Sequence, residues 1–204
     1  MKVAGIDEAG RGSLIGPLVI AIFIIDETNV NKLKGLKDSK KLSKKKRIFY
    51  FNKLKEIGYF DIIKIHPELI DQKNINDIEL KSIIKLIERN VKKYNIKQLF
   101  IDLFTKEKML VDTIKNIESN IELTATYKAD EKYAVVSAAS IIAKVMRDKE
   151  IEKIKKIIGD IGSGYPSDEK TITFVKENLS MLEKNKLIRK KWKTYKKIKR
   201  MLEK

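Results

Sequence analysis

The sequence predicts an α/β protein in which one mixed sheet is covered by helices and followed by a helical carboxyl-terminal stretch. Three observations carry this. Short β-branched apolar runs alternate with segments of helical period along the chain. Its 204 residues, 43% of them hydrophobic, are enough for one full core. The chain shows no internal repeat, no low-complexity linker and only three prolines, so the strands are expected in a single sheet.

The first strand is expected at residues 3–7, where Asp7 ends the apolar run. Gly10, Gly12, Gly16 and Pro17 make a turn, and residues 18–25 form a second, β-branched strand. Residues 43–57 read as a helix capped by Ser43, and residues 59–65 as a strand. Residues 76–94 carry Ile83, Leu86, Ile87 and Val91 at helical spacing. A strand at 98–102, a helix at 106–117 and a strand at 121–126 follow. The remainder is expected to be helical. In its long helix, from about Glu131, Val135, Ala138, Ala139, Ile142, Val145 and Met146 form an apolar stripe. Ser137, Ser140, Lys144 and Arg147 line another face, which either meets phosphates or carries an internal Lys144–Asp148 ion pair.

Composition narrows the chemistry. With no cysteine and a single histidine, disulfides, thiolate zinc sites and multi-histidine metal centres fall away, and a Ser-His-Asp triad is not expected. His66, before Pro67, reads as a solvated strand-end residue. The longest apolar run, residues 18–25, is far short of the roughly 20 residues of a membrane-spanning helix, and the first residues lack a signal peptide's apolar stretch. No membrane association is expected, and the cytoplasm is the expected location.

The formal net charge is +17, and it is clustered. Residues 32–47 hold nine basic residues against Asp38, and residues 184–204 hold eleven against Glu203, leaving the rest near neutral. Two basic patches on a neutral body suit a polyanion such as a nucleic acid. A lysine-rich composition of AT-biased origin accounts for scattered lysines but less well for two clusters. Leu187, Ile188, Trp192, Tyr195 and Ile198 give residues 184–204 an apolar stripe, so a basic helical arm is expected to dock on the body and project Arg189, Lys190, Lys193, Lys196, Lys197 and Arg200 towards phosphates.

Four acids stand at or beside predicted strand ends: Asp7, Glu8, Asp102 and Asp130. Strand ends of an α/β sheet are where ligands bind. Adjacent strand residues point to opposite faces, so Asp7 and Glu8 share a site only if the chain bends or the ligand lies off the strand end. Converging carboxylates need a hard cation, and an all-oxygen set suits Mg²⁺ or Mn²⁺. Two such ions about 3.5–4 Å apart would activate a water and stabilise the leaving oxygen of a phosphodiester. Taken singly, each acid is also explained as a polar turn, a strand-end residue or, for Asp130, a helix N-cap. The segment from Gly10 to Gly16 is one residue too long for the dinucleotide fingerprint, and no P-loop motif occurs. Its glycines allow close approach of the backbone to a ligand, with Arg11 in reach of a phosphate.

Gly5-Ile6-Asp7-Glu8-Ala9-Gly10-Arg11-Gly12 with Gly16-Pro17 resembles the opening motif of ribonuclease HII. The likeness continues through Asp38-Ser39-Lys40-Lys41-Leu42, Asp102, Lys128-Ala129-Asp130, the run from Val136 to Val145 with Arg147-Asp148, Gly162-Ser163-Gly164-Tyr165-Pro166-Ser167-Asp168, and Arg189-Lys190-Lys191-Trp192-Lys193-Thr194, a signature similar to the archaeal-type enzymes. Asp102 matches by position more than by motif. The resemblance implies a ribonuclease H-like fold, with a catalytic domain at residues 1–160 and a helical extension with a basic arm at 161–204, packed on it.

The implied activity is endonucleolytic cleavage of RNA paired to DNA and of ribonucleotides embedded in duplex DNA, leaving 3′-hydroxyl and 5′-phosphate ends. Asp7, Glu8, Asp102 and Asp130 would hold two divalent ions. Gly10, Arg11 and Gly12 with Tyr165 would recognise the ribose, and Ser39, Lys40, Lys144, Arg147, Arg189 and Lys190 would bind the rest of the substrate. Backbone groups of a glycine loop can reach a 2′-hydroxyl, and Pro166 restricts Tyr165 to extended conformations. Outside this context Tyr165 reads as a core tyrosine in a loop capped by Ser167. The related ribonuclease HIII has an additional amino-terminal domain, and a first strand at residue 2 favours HII. The end of the chain lacks the glutamine and paired aromatics of a sliding-clamp motif, and a monomer is expected. A non-catalytic nucleic-acid-binding protein would explain the basic clusters but not the acids. A ribonuclease H-like nuclease of another substrate class, such as a resolvase, would explain the acids but not the Gly-Arg-Gly and Gly-Ser-Gly-Tyr segments.

Overall fold

The computed structural model describes residues 1–36, 42–103, 107–117 and 120–203. Five strands, β1 (Lys2–Ala9), β2 (Leu18–Asp26), β3 (Tyr59–Ile65), β4 (Ile96–Asp102) and β5 (Glu122–Thr126), form one mixed sheet in the order β3-β2-β1-β4-β5. Eight α-helices accompany them among the described residues: α1 (Lys44–Ile57), α2 (Pro67–Gln72), α3 (Ile75–Tyr94), α4 (Glu107–Ile117), α5 (Ala129–Lys132), α6 (Ala134–Ile158), α7 (Glu169–Lys184) and α8 (Lys193–Leu202). The expected α/β class is the observed one. β1 pairs with β4 and β4 with β5, both parallel, and α4 makes the crossover between β4 and β5.

The chain divides into two compact units. The first comprises Met1–Ala9, Ile20–Ile63 and Asn76–Val145. Here β2 is buried along almost its whole length, as a strand covered on both faces must be, which explains its unbroken apolar run. Ser43 caps α1, its hydroxyl accepting the Lys46 amide at 3.3 Å. Beyond β5 the chain passes through Lys128 in the left-handed region (φ 56°), and Asp130 becomes the second residue of the short α5 rather than a helix cap. The long helix starts after this break, at Ala134 instead of about Glu131. Gly5 lets α6 close on the sheet, because a β-carbon there would lie 2.5 Å from the Val135 carbonyl.

The second unit comprises Gly10–Val19, Lys64–Ile75 and Met146–Lys204, so the residues beyond 160 are grouped with two earlier segments. Its core joins Leu14, Ile15, Ile151, Ile161, Val175, Leu182, Ile188, Tyr195 and Ile198, with Leu187 and Trp192 packed against it. Burying a side chain of this size stabilises by about 1.5–3 kcal/mol, which accounts for the apolar stripe of residues 187–198. The arm itself is not one helix. α7 ends at Lys184, Lys186 turns the chain at φ 56°, and Ile188 pairs antiparallel with Ile15 before α8 begins at Lys193. This extended strap is fixed by Asp71, whose carboxylate accepts the Lys190 and Lys191 amides at 2.8 and 3.1 Å. This single bridge and the bonds to Asp71 override the helical spacing there. Short α2, from Pro67, is a further element that the apolar pattern did not signal.

Candidate active site

The acids lie in the first unit. Register sets Ile6 beside Ile101, which brings Asp7 on β1 level with Asp102, the last residue of β4. Both Asp7 and Glu8 lie inside β1, which runs on to Ala9. Asp7 closes a run of five buried residues on β1, and Glu8 is half-buried. The Asp7 carboxyl accepts the Glu8 amide at 2.8 Å. Burial raises its pKa well above the usual carboxylate range. The charge of Glu8 pushes further in that direction, the Ser140 hydroxyl opposes it by hydrogen bonding, and Asp102 adds to the rise.

Asp102 accepts the Ala129 amide at 2.9 Å, so the turn after β5 is tied to the end of β4. Asp130, only 3% exposed, is the next residue. The structure thus brings Glu8 and Asp102 each into electrostatic range of Asp7 and sets Asp130 one residue beyond the amide that holds Asp102. Among the described residues, no three His, Cys, Asp or Glu side chains already stand as a metal-ligand cluster. Ionised carboxylates repel one another until a cation neutralises them. A buried Asp7 destabilised by two acidic neighbours fits such a cation, with donors that are all hard oxygen.

Ser140 is the residue the acid pattern missed. It is buried on α6, bonded to Asp7, and accepts the Lys144 ammonium at 2.9 Å. The signal was present as a Ser–Lys pair at i and i+4 on one helical face. Of the two readings of that face, an open surface for phosphates does not describe three of its four residues. Ser137 is wholly buried with its hydroxyl donating to the Leu36 carbonyl, and of the four residues only Lys144 is half-exposed.

The glycine segment lies in the second unit. Gly10 adopts φ 88° with the Pro17 carbonyl 2.7 Å from where a β-carbon would sit, so no other residue fits without strain. Gly12 differs. It is exposed, is absent from the positive-φ glycines, and a β-carbon there would meet nothing within 4 Å. The amides of Leu14 and Ile15 both donate to the Gly164 carbonyl, at 2.8 and 3.1 Å, joining the glycine segment to the loop that carries Tyr165. Asp168 caps α7 by accepting the Lys170 amide and also accepts the Ser163 amide, so Asp168 rather than Ser167 organises this loop. Thr171 completes it by accepting the Gly164 amide and donating to Ile161.

Two arginines expected to meet substrate are buried in this unit instead. Arg147, 4% exposed, donates to the Ser163 carbonyl at 2.6 Å and lies 4.4 Å from the centre of the half-buried Tyr165 ring. Arg189, fully buried, donates to the carbonyls of Arg11 and Gly10, each at 2.7 Å, and of Gly16 at 3.0 Å. Their cationic heads hold loops, where the Lys/Arg-rich pattern suggested phosphates. Lys190 is exposed, as are Lys193, Lys196, Lys197 and Arg200. Ser39 and Lys40 lie outside the described residues.

Asp7 on β1 and Asp102 at the end of β4 stand on neighbouring parallel strands, and the five-stranded mixed sheet flanked by helices has the ribonuclease H-like fold. The ribonuclease HII profile matches residues 4–195. A ribonuclease HII of Methanococcus maripaludis strain C6 is 45% identical over 214 residues, covering 98% of this chain and 88% of that one. Ribonuclease H2 from Pyrococcus horikoshii superposes with a TM-score of 0.87 at 38% identity, over 100% of both chains. The structure described as a PCNA:RNase HII complex from Archaeoglobus fulgidus gives 0.84 at 38% identity, over 95% of this chain and 96% of that one. The chain belongs to the ribonuclease HII family, whose members are metal-dependent endonucleases that hydrolyse the RNA strand of RNA/DNA hybrids. No helix among the described residues is long and apolar enough to cross a membrane.

Proposed function

We propose that this chain cuts both RNA/DNA hybrids and duplex DNA at embedded ribonucleotides, leaving 3′-hydroxyl and 5′-phosphate ends. The observation that carries the reading is the buried Asp7 carboxyl crowded by Glu8 and Asp102. Asp7, Glu8, Asp102 and Asp130 would hold two divalent ions, Mg²⁺ or Mn²⁺, which when bound supply an activated water and charge stabilisation at the leaving oxygen. Asp7 is oriented for this by the Glu8 amide and the Ser140 hydroxyl, and Asp102 by the Ala129 amide.

Recognition falls to residues of the second unit. Gly12 lacks a side chain although the fold leaves room for one, which fits a backbone that must stay open to a ligand. The amides of a Gly-Arg-Gly segment suit the ribose 2′-hydroxyl, the group that separates RNA from DNA. Tyr165, supported by Arg147, would pack against the sugar. The exposed Lys190, Lys193, Lys196, Lys197 and Arg200 would hold phosphates by counterion release. Lys144, half-exposed beside Ser140, would serve the same backbone, as would Ser39 and Lys40. The working unit is a single chain, and its last residues carry no recognisable sliding-clamp motif.

The decisive assay compares a DNA duplex carrying one ribonucleotide, an RNA/DNA hybrid, an all-DNA duplex and a four-way junction, each with Mg²⁺ and with chelator, followed by end analysis. Cleavage of the first two alone, dependent on metal and ending in 3′-hydroxyls, is expected. Cleavage of the junction, or metal-independent cleavage, would overturn the reading.

A further inference from the structure

We propose that Arg189 is a positioning residue for ribose recognition, buried in order to aim two consecutive backbone amides at the substrate. The inference deepens the reading given above and rests on it. A trans peptide points its carbonyl and its amide hydrogen in opposite directions. Arg189 donates to the carbonyls of Gly10 and Arg11, each at 2.7 Å, and the Ser13 hydroxyl and amide also donate to the former, at 2.9 and 3.2 Å. The amide hydrogens of the same two peptide units, those of Arg11 and Gly12, therefore point away from it, and Gly12 itself is exposed, with nothing within 4 Å of where a β-carbon would sit. Successive amides turned the same way form a concave site for an electron-rich oxygen, here a hydroxyl of the sugar.

The arrangement is held from several directions. The third bond, to the Gly16 carbonyl at 3.0 Å, fixes the far end of the same segment. The Arg189 amide donates to the Leu14 carbonyl, the Gly16 amide donates to Leu187, and the Trp192 ring lies 5.0 Å from the guanidinium. A planar fork with five donors can bridge three carbonyls at once, whereas an ammonium on a flexible stem cannot hold the same three in fixed directions. The carboxyl-terminal signature thus acts on specificity through the amino-terminal loop, at a distance of 178 residues along the chain.

The experiment uses the full chain with Arg189→Lys and Arg189→Ala, the latter also in millimolar methylguanidinium. Binding is measured in Ca²⁺ to duplex DNA with one ribonucleotide and to the same all-DNA duplex, and cleavage of the former in Mg²⁺. Arg189→Lys, which keeps a buried cation, is expected to stay folded and to lose about tenfold in the ratio of the two affinities, the effect of one misdirected hydrogen bond. All-DNA binding should change little. Methylguanidinium should restore part of the ratio to Arg189→Ala. A folded Arg189→Lys with wild-type discrimination would overturn the proposal, as would parallel losses on both duplexes without rescue, which mark a purely structural arginine. A wild-type chain that fails to prefer the ribonucleotide duplex would instead overturn the function proposed above, before any variant is considered.

Discussion

The carboxylates of the first unit and the glycine loop of the second solve opposite electrostatic problems. Around Asp7 the protein gathers like charges and takes one of them out of water, leaving the group unstable in its ionised form. Around Gly10 and Gly164 it buries two cations and spends them on backbone carbonyls, so the loops are held before any ligand arrives. In the function proposed above, the first region is completed by what it binds, whereas the second is finished in advance. Chemistry that depends on a cation tolerates an unsettled set of ligands in its absence, whereas discrimination by a single hydroxyl depends on donors already in place.

The sharpest way to break the contrast is to remove the charge at its centre. Asp7→Asn should lower turnover on a hybrid by about 10³-fold or more in Mg²⁺, with circular dichroism unchanged; Asp102→Asn should behave alike, and near-wild-type turnover would remove Asp102 from the site. Next comes the loop. Gly12→Ala should leave the melting temperature unchanged, since the fold has room for the methyl group, yet reduce cleavage at a single ribonucleotide by about 10²-fold, the cost of a 1 Å displacement of substrate. Tyr165→Ala should give a smaller loss on the same substrate, about tenfold, without a matching loss of all-DNA binding.

The affinity proposed for the exposed face of α8 is a third matter. Replacing Lys193, Lys196, Lys197 and Arg200 by Gln keeps Tyr195 and Ile198 in the core, and should flatten the slope of log affinity against log salt by roughly 3.6 units if all four meet phosphates, at −0.9 each. An unchanged slope would show these residues to be merely solvated. The smallest effect concerns stability without metal. A carboxyl whose pKa is raised on folding holds its proton more tightly in the native state, so the metal-free protein should lose stability as pH rises from about 4 through the raised pKa of Asp7. Thermal melts in chelator should show that decline, while Asp7→Asn should reduce it and melt a few degrees higher at neutral pH.

Most of the sheet was legible, because strand runs such as Tyr59–Ile65 and Leu18–Asp26 are dense in β-branched and aromatic residues. Asp102 at the end of β4 and Asp130 just beyond β5 stand where the strand pattern put them, whereas β1 runs on past Asp7 and Glu8 to Ala9. What escaped the sequence were contacts between distant segments. Helical spacing in residues 187–198 could not reveal that Ile188 pairs with Ile15 as an extended strap. Nor could the charge of Arg147 and Arg189 reveal their burial, because an arginine in a basic cluster has the same composition whether it faces phosphate or a carbonyl. Ser140 was visible as a polar residue on a helix, but its bond to Asp7 depends on α6 lying against β1.

That last contact passes through Gly5. A methyl group at this position would stand 2.5 Å from the Val135 carbonyl, well inside van der Waals contact, and would lever the start of α6 away from the strand. Ser140 and Lys144 ride on the same helix. Since glycine and alanine codons differ by one base, a single substitution, inconspicuous beside the loss of an acid, would be enough to pull the hydroxyl off Asp7. The mutational fragility of this enzyme is therefore set in part by a residue with no side chain at all.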